Sequence, residues 1–180
     1  MSTLRSIPST SPILLLTPVI LPQTAHKASA KDSTKARTID PFEAFGRELS
    51  KLHSRLRHVP YRPDVGITDT HAAFIEQSAA IIVVTCETQD SDEDSLANQR
   101  LFADAVVAKR DEFFLAKRDE LRDDDDDLPL MLVRFGPNAM KVCEEEYENV
   151  LHAPALTTRA CIKATRLIFN SETRPSRRLV

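Results

Sequence analysis

The stretch GITDTHAAF (66–74) sets Thr68, Asp69, Thr70 and His71 side by side, between the short apolar segment HVPY and the apolar run AAIIVVTC. Hydroxyls, a carboxylate and an imidazole this close together are the ingredients of nucleophilic or general acid–base chemistry. The same letters also begin an ordinary helix. Thr68 is a good N-cap, Asp69 suits the positive end of the helix dipole, and Ile67 can staple onto the first turn. His71 has no serine, cysteine or metal-ligand partner at a recognisable spacing, so the helix start is the favoured reading. Thr68, Asp69, Thr70 and His71 remain the ligand-facing candidates, because ligands of parallel α/β sheets bind where strands end and helices begin.

The other chemistry-bearing residues form no reaction centre on their own. The run DDDDD (123–127) lacks the alternation and the glycine of a calcium loop, and an unbroken acidic run repels itself and stays solvated. Glu144, Glu145 and Glu146 read as a solvated helical turn. His26, His53, His58 and His152 fit no HExxH or triad signature, and no GxSxG nucleophile elbow occurs. Cys86, Cys143 and Cys161 are far apart, without a CxxC pair, and each lies in or beside an apolar run. They read as small buried hydrophobes rather than zinc ligands or disulfide partners. A phosphate-cradling loop needs glycines close together, yet the nearest of the three glycines, Gly46 and Gly66, are 20 positions apart (66 − 46). No metal, cofactor or catalytic residue is therefore assigned.

Alternating elements must hold these residues. ILLLTPVI (13–20) reads as a strand, and 22–39 as a long polar loop. DPFEAFGRELSKLHSRL (40–56) reads as an amphipathic helix with Phe42, Phe45, Leu49 and Leu52 on one stripe. Asp40, Pro41 and Glu43 predict a capping box at its start. A short strand RHVPY (57–61), a helix over 66–79 and a strand AIIVVTCE (80–87) follow. A run without polar alternation marks a central parallel strand, covered on both faces. From Ser95 a helix runs to about Leu121, containing AKRDE twice, at 108–112 and 116–120, a local duplication that lengthens one helix. LPLMLVRFG (128–136) is a strand, 139–147 a short helix and ENVLHAP (148–154) an edge strand. The closing helix, in LTTRACIKATRLIF, opposes an apolar stripe (Leu156, Ala160, Cys161, Ala164, Leu167, Ile168) to Arg159, Lys163 and Arg166.

Strict alternation of strand and helix predicts an α/β three-layer sandwich, with a mostly parallel sheet of about five strands and helices on both faces. The domain spans 12–170. Residues 1–11 are expected to be a disordered tail, 122–128 an acidic loop and 171–180 a flexible tail.

The net charge of −3 divides unevenly: +6 over 1–62 (ten Lys/Arg, four Asp/Glu), −12 over 63–127 (six, eighteen) and +3 over 128–180 (eight, five). The acidic middle argues against a nucleic-acid partner. Arg5, ILLLTPVIL (13–21) and ASA (28–30) loosely imitate a signal peptide, but Pro18 interrupts a run too short for a bilayer. A buried strand is preferred, hence an intracellular, cytoplasmic protein with no membrane partner.

The succession ILLLTPVILP, DPFEAFGRELSKLHSRLRHVPY and GITDTHAAFIEQSAAIIVVTCE resembles the carboxy-terminal α/β sandwich domain of glycoside hydrolase family 3, on its fungal-type β-N-acetylhexosaminidase-like branch. The end, EEEYENVLHAPALTTRACIKATRLIFNSETRPSRRL, is similar to that domain's closing strand and helix. The resemblance covers most of 12–180 and rests on order and spacing rather than on one specific motif. It implies hydrolysis of glycosidic bonds by a whole enzyme whose catalytic aspartate lies in a preceding (β/α)-barrel, which this chain has no room for. A retaining glycosidase needs two carboxyl groups about 5–5.5 Å apart, and no position here matches either family pattern for the second. The expectation is an accessory or truncated domain, inactive alone, with a barrel domain or carbohydrate as partner. A flavodoxin-like small-ligand or protein-interaction module is the alternative.

Overall fold

The computed structural model describes residues 4–20, 40–88, 93–117, 128–137, 147 and 149–169. Among the described residues five strands and four α-helices follow in the order β1 (Ile13–Pro18), α1 (Glu43–Leu52), β2 (Leu56–Tyr61), α2 (Asp69–Glu76), β3 (Ala80–Cys86), α3 (Glu93–Lys117), β4 (Leu130–Phe135), β5 (Val150–Ala153) and α4 (Thr158–Phe169). The strands form one sheet in the order β2-β1-β3-β4-β5. Every neighbouring pair is parallel, with Ile13 opposite both Leu56 and Ala80, and Ile81 opposite Leu130. The α/β sandwich expected from the alternation is the observed architecture.

The pleat divides the core in two. Ile13 and Leu15 of β1, with Ile82 and Val84 of β3, pack against Phe42, Phe45 and Leu49 of α1 and Cys161, Ala164 and Ile168 of α4. Leu14 and Leu16, with Ile81 and Val83, pack against Ile75 of α2 and Phe102, Ala103 and Val106 of α3. Because both faces of β1 and β3 are covered, every position from Ile13 to Pro18 and from Ala80 to Val84 is buried. This is why those runs show no polar alternation. The chain moves one way along the sheet from β1 to β2, then reverses past β1 to β3. Right-handed crossovers run in opposite senses reach opposite faces, so α1 lies on one side and α2 and α3 on the other.

Local details differ from expectation in three places. Asp40 and Glu43 do not make a capping box. Asp40 Oδ1 accepts the Phe42 amide at 2.9 Å and its carbonyl accepts the Glu43 amide, forming a turn ahead of the helix. Glu43 instead pairs with Arg47 at 2.6 Å. Leu52, at the fraying end of α1, is 52% exposed rather than core. The amino-terminal stretch is described from Leu4 onward: Leu4–Ser6 forms a 3-10 turn, and Leu4 is buried in the α1/α4 core. His53 Nε2 meets the Ser11 carbonyl at 2.7 Å and Arg55 donates to the Thr10 carbonyl, so side chains near the end of α1 fasten this stretch.

The expected long loop at 22–39, the acidic loop (save Leu128), the helix over 139–147 (save Tyr147) and the tail from 171 lie outside the described residues. Among the described residues no helix is long and apolar enough to cross a membrane.

The two-sided burial of β3 sets a test. Ile82→Ala should lower the free energy of unfolding by about 2–5 kcal/mol in urea titration, whereas Leu52→Ala should stay within about 0.5 kcal/mol.

Candidate functional site

At the carboxyl ends of the strands the two central ones part. β1 pairs with β3 only as far as Leu16↔Val83, yet pairs with β2 up to Pro18↔Tyr61. β3 meanwhile continues along β4 to Cys86↔Phe135. Pro18 has no amide hydrogen to offer a neighbour, so β1 ends there as a ladder strand. The carboxyl edge at the point where the chain reverses direction along the sheet is where open α/β sheets take their ligands.

Side chains complete the bonding of β3 where the ladder with β1 has ended. The Tyr61 hydroxyl donates to the Val84 carbonyl at 2.9 Å. Gln99, from α3, accepts the Cys86 amide through Oε1 at 2.7 Å and donates through Nε2 to the Cys86 carbonyl at 3.1 Å. Backbone groups of β3 left without a strand partner are thus satisfied in a dry environment. The Tyr61 ring stacks on Phe102 with centroids 3.7 Å apart. Burial raises the Tyr61 phenol well above its ordinary range, so it stays protonated as a donor. Burial first, with the Cys161 and Glu87 charges adding, pushes the Cys86 thiol up to about 12. Cys161 is likewise raised to about 11 by burial. Neither sulfur is a thiolate nucleophile at neutral pH.

The four sequence candidates fall at the same edge, on the α2 face, and the structure unites two of them. Thr68 is the N-cap of α2, with its Oγ1 facing the His71 amide at 3.4 Å. His71 Nδ1 accepts the Thr68 amide at 3.1 Å, so the pair closes a capping box in which a histidine plays the usual glutamate's part. His71 is buried edge-on to Phe102, centroids 5.4 Å apart, so the cap rests on the ring that supports Tyr61. Asp69 and Thr70 are exposed in the first turn.

On the opposite face the structure gathers a second polar group that sequence reasoning passed over. Thr17 Oγ1 lies 2.7 Å from His58 Nε2, and Asp40 Oδ2 lies 3.8 Å from the same nitrogen. The only trace in the sequence was a threonine inside an otherwise apolar strand. Gly136, at φ +140°, lets β4 end against Glu87, where an added Cβ would come within 2.5 Å of the Glu87 Cβ. Among the described residues no group of three or more His, Cys, Asp or Glu could hold a metal ion.

No family model matches the chain, and no curated protein matches it. Among solved structures the fold is similar to a fungal multi-domain GH3 β-N-acetylglucosaminidase, described as having a unique GCN5-related glucosamine N-acetyltransferase region. The TM-score is 0.59 and the identity 18%, over 93% of this chain and 15% of that one. At that identity the likeness shows the fold, and this chain spans only 15% of the length of the matched chain. The match puts such a fold in a GH3-associated protein. It lends no support to a carboxy-terminal sandwich assignment or to a hydrolytic role.

Removing the Thr68 hydroxyl (Thr68→Ala) should destabilise the protein by about 1 kcal/mol. Tyr61→Phe, which leaves the buried Val84 carbonyl without its donor, should cost about 1–3 kcal/mol in the same denaturation assay.

Proposed function

We propose that the chain is an accessory α/β domain of a family 3 glycoside hydrolase type, spanning about 12–170, with no hydrolytic activity of its own. The observation that carries this reading is that 93% of the chain matches a part amounting to 15% of a multi-domain GH3 chain. Its partner is a glycosidase barrel domain or the carbohydrate such a domain holds, met through the carboxyl edge of the sheet. There Asp69 and Thr70 offer exposed acceptors for sugar hydroxyls, and Thr68 and His71 hold the turn that carries them.

The test is to mix the purified chain with the isolated barrel domain of the matched fungal enzyme. Calorimetry should register saturable binding that weakens when Asp69→Ala and Thr70→Ala are combined, while the chain alone leaves a nitrophenyl N-acetylglucosaminide intact. Enzyme-like hydrolysis by the chain alone, abolished by replacing a carboxylate, would overturn the proposal, as would absence of any binding.

A flavodoxin-like small-ligand module is a second reading, favoured by one observation: the strand order β2-β1-β3-β4-β5, which is the flavodoxin-like arrangement with its switch point at β1 and β3. Thermal-shift measurements with glucosamine, N-acetylglucosamine and nucleotides separate the two. Saturable stabilisation by a nucleotide alone favours the module.

A further inference from the structure

Among the described α-helices α4 alone carries no acidic side chain. Its apolar stripe, Cys161, Ala164 and Ile168, lies in the core shared with α1, and Arg159, Lys163 and Arg166 stand exposed. α1 also carries four charges, but they cancel in two pairs, Glu43 with Arg47 and Glu48 with Lys51. Arg62, Lys109 and Arg110 likewise have carboxylates at 2.6, 3.0 and 2.8 Å. None of the three cations of α4 has an ion-pair partner among the described residues.

The stripe works against the helix that carries it. Thr157 Oγ1 accepts the Ala160 amide at 3.1 Å, so Arg159 stands in the first turn, at the positive end of the helix dipole. Arg159 and Lys163, four residues apart, repel each other, and so do Lys163 and Arg166, three apart. Only Arg166, in the last turn, sits where the dipole favours it. Solubility alone would be served as well by acids. An anion laid along the stripe relieves every one of these repulsions.

We propose that the exposed face of α4 docks an acidic segment of a partner polypeptide, with Arg159, Lys163 and Arg166 as its cationic contacts. This face lies on the α1 side of the sheet, whereas Asp69 and Thr70 lie on the α2 side. It therefore stands independently of any barrel domain or sugar met through those two residues.

Dimensions and surroundings select the occupant. From Arg159 to Arg166 the helix rises about 10 Å, at roughly 1.5 Å per residue. An extended peptide covers that length in about three to four residues, so a short run of Asp or Glu sets carboxylates against all three cations. Nucleic acid presents a long track of phosphates and calls for a wider basic surface. Here the opposite layer has the opposite sign: α1 and α4 carry five bases and two acids, whereas α2 and α3 carry four bases and seven acids. An anionic bilayer is held by basic residues together with apolar side chains inserted beside them. Of the large apolar side chains exposed among the described residues, none lies on α4.

The test uses the full chain, with an acetylated penta-aspartate peptide as probe and penta-asparagine as control. In an NMR titration the amides of α4 should shift saturably with the aspartate peptide and stay unmoved with the asparagine one. Affinity should fall several-fold when salt is raised from about 50 mM to about 200 mM. It should vanish when Arg159→Gln, Lys163→Gln and Arg166→Gln are combined. Arg159→Glu supplies a second readout: it should weaken binding and yet raise the melting temperature, because it places an acid at the positive end of the dipole. A lowered melting temperature would mark Arg159 as half of a structural ion pair and overturn the proposal. Shifts centred away from α4, or unchanged binding by the triple variant, would overturn it too. Tighter binding of oligo-uridine RNA or of phosphatidylserine vesicles through the same three residues would give the stripe to another class of partner. Self-association of the wild-type chain that the triple variant loses would give it to a second copy. Either result overturns the assignment.

Discussion

Everything in this domain depends on two strands being dry on both faces. β1 and β3 lie side by side in the middle of the sheet, and their side chains alternate between the α1/α4 core and the α2/α3 core. Apolar surface removed from water contributes roughly 25 cal/mol per Å², so twin cores bound to one pair of strands concentrate the driving force there. The same arrangement restricts which polar groups those strands can carry. Thr17 is tolerated inside β1 because its Oγ1 shares a hydrogen bond with His58 Nε2, 2.7 Å away. The Cys86 backbone, past the end of the β1 ladder, is tolerated because Gln99 supplies a carboxamide that copies a strand partner.

The ladder between β1 and β3 ends at Leu16↔Val83, short of the carboxyl edge of the sheet. On the other side of β1 the ladder with β2 continues to Pro18. Tyr61 reaches the Val84 carbonyl from β2, and Phe102 carries both its ring and the His71 imidazole. One aromatic side chain of α3 thereby ties together β2, the start of α2 and the end of β3. Burial of these groups holds the geometry rigid and keeps the phenol protonated.

The layered architecture was legible because it rests on periodicity. ILLLTPVI, AIIVVTCE and LPLMLVRFG read as covered strands, and they lie together in the sheet as β1, β3 and β4. The stripe of α4 was legible for the same reason: Cys161, Ala164 and Ile168 are buried while Arg159, Lys163 and Arg166 are exposed. The Thr68 cap could be read because it is local, a matter of four consecutive residues. What escaped is contact between residues distant in the chain. Thr17 and His58 are 41 positions apart, and Tyr61 reaches a carbonyl 23 positions away. No pattern of spacing encodes such meetings; strand order creates them. At α1 the local signal misled because Pro41 begins a turn, not the first helical position, so Asp40 caps Phe42 and leaves Glu43 free to pair with Arg47.

The chemistry of the described edge argues for holding rather than reacting. A nucleophile must be reachable and activated. Thr17 has a base at hydrogen-bond distance but no access, and Cys86 is buried with its thiol pushed up to about 12. Asp69 and Thr70 have access, but they stand in the first turn of a helix whose only histidine is committed to the cap through Nδ1. Each potential reactive group thus lacks what another possesses, and the polar atoms that are well positioned are spent on finishing backbone. An edge so arranged can recognise hydroxyl-rich or peptide surfaces through exposed acceptors on a stiff base.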